Sequence, residues 1–432
     1  MSYDEDREDT EQSEVERAIL VGIDDLEGRS RRSMRELIDL AKTAGAQVID
    51  LLTQRRDRPD IRTFIGGGKV EELAALVSGE GADLVVFNAE LSPVQNRNLV
   101  NALDCKVLDR TELILDIFAQ HARTREGKLQ VELAQARYSL PRLAGRGRMM
   151  DRIGGGAAGA GIGVRGPGET KIDVERRVLR RSIQRLEHEI DEVQRRREVE
   201  RRSRERSGLP TATLVGYTNA GKSTLLNALV GSQEVAVRDR LFETLDPTTR
   251  RIELDDGREC LVTDTVGFIQ DLPTQVVAAF RATLEEVTDA DLLIHVVDAS
   301  WPAAWEQYEA ASTVLGELKA LDIPTIVALN KIDAVGSERS LQIIESRIDN
   351  TLRISALEGE GLDELRKRMS DLLFAHLIEV TLHIPYDQMS LMELLNERGH
   401  VSETKYEAEY VITRVEVDEP TLARVRELVV SD

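Results

Sequence analysis

Residues 213–224 read T-L-V-G-Y-T-N-A-G-K-S-T, which fits G-x-x-x-x-G-K-[ST] and constrains the fold more tightly than any other string in the chain. Its flanks are the ones the motif needs: an apolar run from Ala212 to Val215 before it and L-L-N-A-L-V after it. The string therefore predicts a strand, a tight turn and a helix. Gly216 and Gly221 let the backbone curl, so that the N–H groups of Tyr217, Thr218, Asn219 and Ala220 point at phosphate oxygens. The helix start adds its positive end. Lys222 is expected at the β- and γ-phosphates, as a catalytic group. The hydroxyl of Ser223, with Thr224 beside it, is expected to ligate Mg²⁺.

Three shorter motifs follow in order, each at the end of an apolar run. D-T-V-G (Asp264, Thr265, Val266, Gly267) follows C-L-V-T. Asp264 is placed to hold Mg²⁺ through water, and the Gly267 N–H to sense the γ-phosphate. N-K-I-D (Asn330, Lys331, Ile332, Asp333) ends T-I-V-A-L. The Asp333 carboxylate can accept from guanine N1–H and N2–H₂, a donor pair adenine lacks. Asn330 braces the loop and the Lys331 stem can lie on the base. S-A-L (Ser355, Ala356, Leu357) offers the Ala356 N–H to guanine O6. Between the first two motifs lies L-F-E-T-L-D-P-T-T-R, where Phe242, Glu243, Thr244, Leu245 and Asp246 are expected to line the nucleotide. Thr244 is the threonine expected to close over Mg²⁺, with Thr248 and Thr249 as competitors. Phe268 stands where many switch GTPases place a water-orienting glutamine. Either a partner completes the site, the reading favoured here, or another side chain points in.

Charge is unevenly distributed. The 432 residues carry a formal net charge of −21, yet residues 121–206 hold 22 Lys/Arg against 13 Asp/Glu, a local surplus of nine that leaves −30 on the rest. Arginine supplies nearly all of it, which suits bidentate contact with phosphate. Any polyanion must meet this segment, because the average field repels it. An aromatic share of 4% argues against a stacking platform for single-stranded nucleic acid. Two cysteines, Cys105 and Cys260, outside any C-x-x-C context, exclude a disulfide framework and a zinc ribbon. With no long apolar run and an acidic N-terminus unlike a signal peptide, the expectation is a cytoplasmic chain without a membrane span.

Periodicity divides the chain. Residues 1–16, with eight acidic side chains and one basic, read as an acidic disordered tail. Alternating strands and helices over 17–110 predict a small parallel α/β domain. Residues 111–208 read as an antiparallel helical hairpin, its second helix starting at Glu169 with a seven-residue apolar seam (Ile172, Leu179, Leu186, Val193). Its tip is the irregular, Gly- and Arg-rich loop 141–168, where eight of the fifteen residues from Gly154 to Gly168 are glycine. A G domain follows over 209–375, and a small α+β domain over 376–432. The fold class is thus α/β, a P-loop GTPase domain between these neighbours.

F-I-G-G-G-K-V-E-E-L at 64–73, V-L-D-R-T-E-L-I-L-D-I-F at 107–118, G-P-G-E-T-K-I-D-V-E-R-R at 166–177 and the F-E-T-L-D-P-T-T-R and D-T-V-G-F strings resemble the HflX family of ribosome-associated GTPases. The resemblance implies a Mg²⁺-dependent GTP hydrolase with some tolerance of ATP. It implies binding to the large ribosomal subunit and its RNA and a part in splitting, rescuing or recycling stalled ribosomes under stress; the chain itself is expected to be a cytoplasmic, ribosome-associated monomer. The alternative is a GTPase of ribosomal RNA maturation and large-subunit assembly. Arg142, Arg146, Arg148, Arg152, Arg165 and Lys171 flank the glycine loop and are the expected RNA contacts.

Overall fold

The structure, a computed structural model, describes residues 15–24, 29–153, 171–206, 209–231, 242, 244–269, 286–336, 338–348 and 350–429. Two compact units emerge. Among the described residues, the first takes 15–24, 29–122, 128–153 and 171–187, and the second takes 123–127, 188–206 and those from 209 onward.

In the first unit, β1 (Arg17–Asp24), β2 (Gln47–Arg55), β3 (Leu84–Phe87) and β4 (Lys106–Asp109) form a sheet of order β2-β1-β3-β4. Every pairing in it is parallel. Helices α1 (Arg29–Thr43), α2 (Gly67–Glu80) and α3 (Pro93–Leu103) are the crossovers, and α4 (Arg110–His121) follows β4. The two central strands, β1 and β3, are near-continuous apolar runs because both their faces are buried, whereas the edge strand β2 is mostly half-buried or exposed. Ile19, Val21, Val85 and Phe87 from the strands meet Leu73 and Leu99 from the helices in one core. Two helix starts are written locally. Ser92 and Gln95 form a capping box with Pro93 in the first turn of α3, and Asp109 and Glu112 do the same for α4.

The helical segment departs from expectation in two places. What reads as one helix over 111–140 is broken at Ala122–Thr124, and α5 (Arg125–Ile153) starts afresh. Helix α5 then runs through Pro141, where an irregular loop is expected. A proline there removes one helical hydrogen bond and costs about 3 kcal/mol. The next residue, Arg142, is bound into a buried network described below. Helix α6 (Lys171–Arg206) carries Leu186 and Ile190 as its buried seam residues. Within the first unit it is tied to α5 by Arg137–Glu187 (2.7 Å) and Glu132–Arg185 (3.8 Å).

The second unit holds a six-stranded sheet of order β10-β9-β8-β5-β7-β6. Its strands are β5 (Thr211–Gly216), β6 (Thr248–Glu253), β7 (Glu259–Asp264), β8 (Leu292–Asp298), β9 (Thr325–Asn330) and β10 (Thr351–Arg353). Only β6 runs antiparallel, against β7. Helices α7 (Lys222–Val230), α8 (Ala304–Glu317), α9 (Glu338–Glu345) and α10 (Leu362–Leu373) complete this domain. The four motifs fall at the C-terminal ends of β5, β7, β9 and β10, the edge at which open α/β sheets take ligands. Beyond it, β11 (Ile378–Pro385), α11 (Ser390–Arg398), β12 (Gly399–Tyr406), β13 (Tyr410–Val417) and α12 (Glu419–Val425) build a small α+β domain with antiparallel order β11-β13-β12. Leu382, Ile384, Leu395, Val415, Val417 and Val425 fill its core.

Candidate active site

The phosphate loop is shaped by backbone close to backbone. Gly216 ends β5 at φ +141°, and a Cβ there would lie 2.2 Å from the Val296 carbonyl oxygen. Gly221 caps α7 at φ +93°, where a Cβ would lie 2.3 Å from Asn330 Nδ2. Between them Tyr217, Thr218 and Ala220 are buried and Asn219 is exposed. Lys222 is buried, its Nζ donating to the carbonyls of Gly216 (3.2 Å) and Tyr217 (2.9 Å). Burial pushes its ammonium down to about 8, opposed by the charge of Asp264.

Three oxygens converge beside it. Ser223 Oγ donates to Asp264 Oδ2 at 2.6 Å, Thr244 Oγ1 donates to the same atom at 2.9 Å, and the two hydroxyls are 2.8 Å apart. Asp264 is wholly buried, and its other oxygen is a buried acceptor without a hydrogen-bond partner. Burial pushes its carboxyl above the usual range, against the pull of Lys222. Thr248 and Thr249 open β6, and Thr249 bonds Thr263 across the strands (2.9 Å), so neither joins this cluster. Thr224 lies half-buried on α7.

The D-T-V-G-F stretch lies along the phosphate loop as a one-bridge parallel strand. Phe268 N–H donates to Gly216 O (3.0 Å), and Thr218 N–H donates to Phe268 O (2.7 Å). A Cβ on Gly267 would lie 2.5 Å from Thr218 Cα. The Phe268 ring is buried and carries no group that orients water.

Several expected nucleotide contacts are committed elsewhere. The Thr265 hydroxyl donates to Leu214 O (2.7 Å), under the sheet edge. Phe242, Leu245 and Val266 are buried packing side chains. The Asp246 carboxylate accepts from the N–H groups of Arg123 (2.9 Å) and Thr124 (2.8 Å), and from the Thr124 hydroxyl. It therefore faces the start of α5 and not a nucleotide. Glu243 lies outside the described residues.

At the other end, Asn330 ties three motifs together. Its Nδ2 donates to Ala220 O (2.8 Å) and its Oδ1 accepts from Ala356 N–H (2.9 Å). The Ala356 N–H, expected at the guanine oxygen, here donates to Asn330. Lys331, left-handed at φ +63°, reaches Asn219 O (2.7 Å) and Asp298 (2.8 Å). Asp333 accepts from Ser355 Oγ (2.6 Å), with Ile332 in the same 3₁₀ turn, and Leu357 is exposed. The sequence reading missed Asp298, which ends β8 and accepts from the N–H and hydroxyl of Ser300. The D-A-S string after an apolar run was its signal.

Of the expected RNA contacts, Arg142 is the correction. Its guanidinium pairs with the wholly buried Asp109 (2.9 Å), donates to Leu91 O (2.7 Å) and meets Tyr138 OH, which itself donates to Asp109. An arginine held this way serves the fold. The α5 backbone passes through Arg146, Arg148 and Arg152, and Lys171 opens α6. Their side chains, and Arg165 altogether, lie outside the described residues.

Fold and site together define a P-loop GTP hydrolase. Four family profiles match in succession: "GTP-binding GTPase N-terminal" over 31–119, "GTP-binding GTPase Middle Region" over 121–204, "50S ribosome-binding GTPase" over 211–331 and "HflX C-terminal domain" over 319–419. The GTPase HflX of Caldanaerobacter subterraneus is 44% identical over 96% of this chain and 94% of its own. That of Escherichia coli is 43% identical over 86% of each. The chain belongs to the HflX family of GTPases. Among solved structures, a "crystal structure of SsGBP and GDP complex" aligns at TM-score 0.49 and 27% identity, over 83% of this chain and 98% of that one. Among the described residues no helix is long and apolar enough to cross a membrane.

Proposed function

We propose that this GTPase takes Mg²⁺·GTP at the C-terminal edge of its six-stranded sheet, docks on the large ribosomal subunit, and uses hydrolysis to split or rescue stalled ribosomes. The observation that carries the nucleotide reading is the convergence of Ser223, Thr244 and Asp264, with one buried carboxylate oxygen left over. Two hydroxyls and a carboxylate are hard oxygen donors, and with substrate phosphates they suit magnesium. Ser223 and Thr244 would hold the ion directly and Asp264 through water. When bound, it supplies positive charge at the β- and γ-phosphate oxygens.

The chain's own groups do the rest. Lys222 exchanges its two carbonyl partners for phosphate oxygens. The Gly267 N–H marks the γ-phosphate. Asp333 selects guanine, while Asn330 and Lys331 hold the loop around it. No side chain at 268 orients water, so the reaction alone is slow, on the order of 10⁻⁴–10⁻³ s⁻¹ as in unassisted switch GTPases. The partner that accelerates it is the large subunit, met by the arginine-rich segment and the glycine loop. GTP turnover measured with and without each ribosomal subunit tests this: large subunits raise it well above the chain alone. Equal turnover with and without them sinks the proposal. Sedimentation separates the assembly-factor alternative, since accumulation on precursor particles and not on mature subunits would favour it.

A further inference from the structure

The contact that removes Asp246 from the nucleotide gives it another task. Residues 123–127 belong to the second unit. There Thr124 caps α5: its Oγ1 accepts from Gly127 N–H (3.0 Å), while its own hydrogen goes to Asp246 Oδ1. Asp246 Oδ2 takes the two N–H groups of Arg123 and Thr124. Asp246 thus fixes both the backbone that leads into the helix, through the N–H groups of Arg123 and the cap residue Thr124, and the direction of the capping hydroxyl, at the end where the helix dipole favours negative charge. The contact requires glycine at 127, because a Cβ there would lie 2.5 Å from Asp246 Oδ1 and 3.2 Å from Thr124 Oγ1.

Two residues earlier, Thr244 is bonded to Ser223 and Asp264. Leu245 between them is buried and Pro247 follows. Two extended residues span only about 7 Å. The segment is therefore held at two points with almost no slack, and Thr244 cannot leave its cluster without straining the bonds of Asp246 to α5.

We propose that Asp246 is a positioning residue for GTP hydrolysis: anchored on the Thr124 cap of α5, it holds Thr244 in its closed place over the phosphate end of the site. This rests on the reading that Thr244 serves the GTP state. GDP lacks the γ-phosphate, so the clamp matters for GTP turnover and hardly at all for GDP affinity. The coupling runs both ways, and the start of α5 is sensitive to what occupies the site.

The test uses the full chain and substitutions remote from nucleotide: Thr124→Val, Gly127→Ala and Thr124→Ser, beside Asp246→Ala. Single-turnover GTP hydrolysis is compared with affinity for a fluorescent GDP. Thr124→Val, Gly127→Ala and Asp246→Ala are expected to slow hydrolysis about tenfold with GDP affinity within twofold, as a displaced group of the site costs rate and not ground-state binding. Thr124→Ser, which keeps the hydroxyl, retains the native rate. Asp246→Ala combined with Thr124→Val is no slower than either alone. Hydrolysis within twofold of native in Thr124→Val overturns the clamp, as does an equal fall in GTP turnover and GDP affinity, or a Thr124→Ser rate as low as that of valine. A native chain that binds neither nucleotide overturns the clamp and the reading beneath it together. Loss of turnover in Lys222→Ala alone, with Thr124→Val intact, removes only the clamp.

Discussion

His295 is expected to make the stability of the G domain fall in mild acid. It lies on β8 beside Val215 of β5, buried, with its ring stacked on Tyr308 at 4.9 Å between centroids. Burial, reinforced by the charge of Lys222, pushes its imidazole down from 6.5 to about 4. Between those values the unfolded chain binds a proton that the native state refuses. Stability contributed by this group is therefore complete well above pH 6.5 and is lost as the pH drops towards 4. Linkage over these two pKa values gives a loss of about 2 kcal/mol between pH 7 and pH 5. Other buried groups titrate in the opposite sense. Glu112, pushed up to about 7 by burial and Asp109, adds stability as the pH falls through that value. The measurement is therefore a difference between two proteins. His295→Phe keeps the ring stack on Tyr308 and removes the titration. Urea unfolding followed by tryptophan fluorescence confines the signal to the G domain, since both tryptophans, Trp301 and Trp305, lie there, with Trp305 at 5.6 Å from Tyr308. The native chain should lose about 2 kcal/mol more than His295→Phe between pH 7 and pH 5. Parallel pH profiles for the two proteins would refute the buried neutral imidazole.

Asp333→Asn should lower GTP affinity about a hundredfold and admit xanthosine triphosphate, whose 2-oxo group can accept from the new amide; competition binding with both nucleotides reads this. Gly216→Ala forces a Cβ into the Val296 carbonyl at a φ of +141°, so calorimetry should find nucleotide binding lost and a chain about 1–3 kcal/mol less stable. Arg142→Ala leaves Asp109 buried without its cation and should cost the first unit about 3–5 kcal/mol in urea unfolding. Unchanged stability with weakened large-subunit binding would return Arg142 to the RNA interface.

How much of this was legible in the sequence depends on range. The first sheet was readable because its central strands β1 and β3 are buried on both faces and its helices announce their starts, as Ser92-Pro93 does. The phosphate loop was readable because its glycines, lysine and serine act within twelve residues. The break at Ala122–Thr124 was marked only faintly, by the lack of any large apolar residue between Phe118 and Leu129 and by Thr124 as a helix cap three residues before Gly127. Pro141 points the other way: its local signal says stop, yet α5 runs through it and places Arg142 against Asp109, 33 residues away. The β6 strand hid because only Ile252 is buried along it, as befits an edge. Asp246 and Ala356 carry groups of the right chemistry at the right spacing, and their partners, at Thr124 and Asn330, are set only by the tertiary fold.

Thr244 leads into β6 and Asp264 ends β7, so both lie at the same end of one antiparallel ribbon, in which Thr248 lies opposite Asp264. Six residues per strand make it about 20 Å long. At its far turn Arg258 pairs with Glu416 of β13 (2.8 Å) and lies 4.9 Å over the Phe374 ring, while Asp256 accepts from Ser370. The ribbon thus has the oxygen cluster at one end and the C-terminal domain at the other. Hydrogen bonds across a paired ribbon resist shear far better than loops do, so a displacement of Thr244 that tilts β6 carries β7 and Arg258 with it. Among the described residues, this ribbon and the proposed Asp246 anchor are two routes along which a change at Thr244 would travel. One leads to the C-terminal domain and the other to the start of α5.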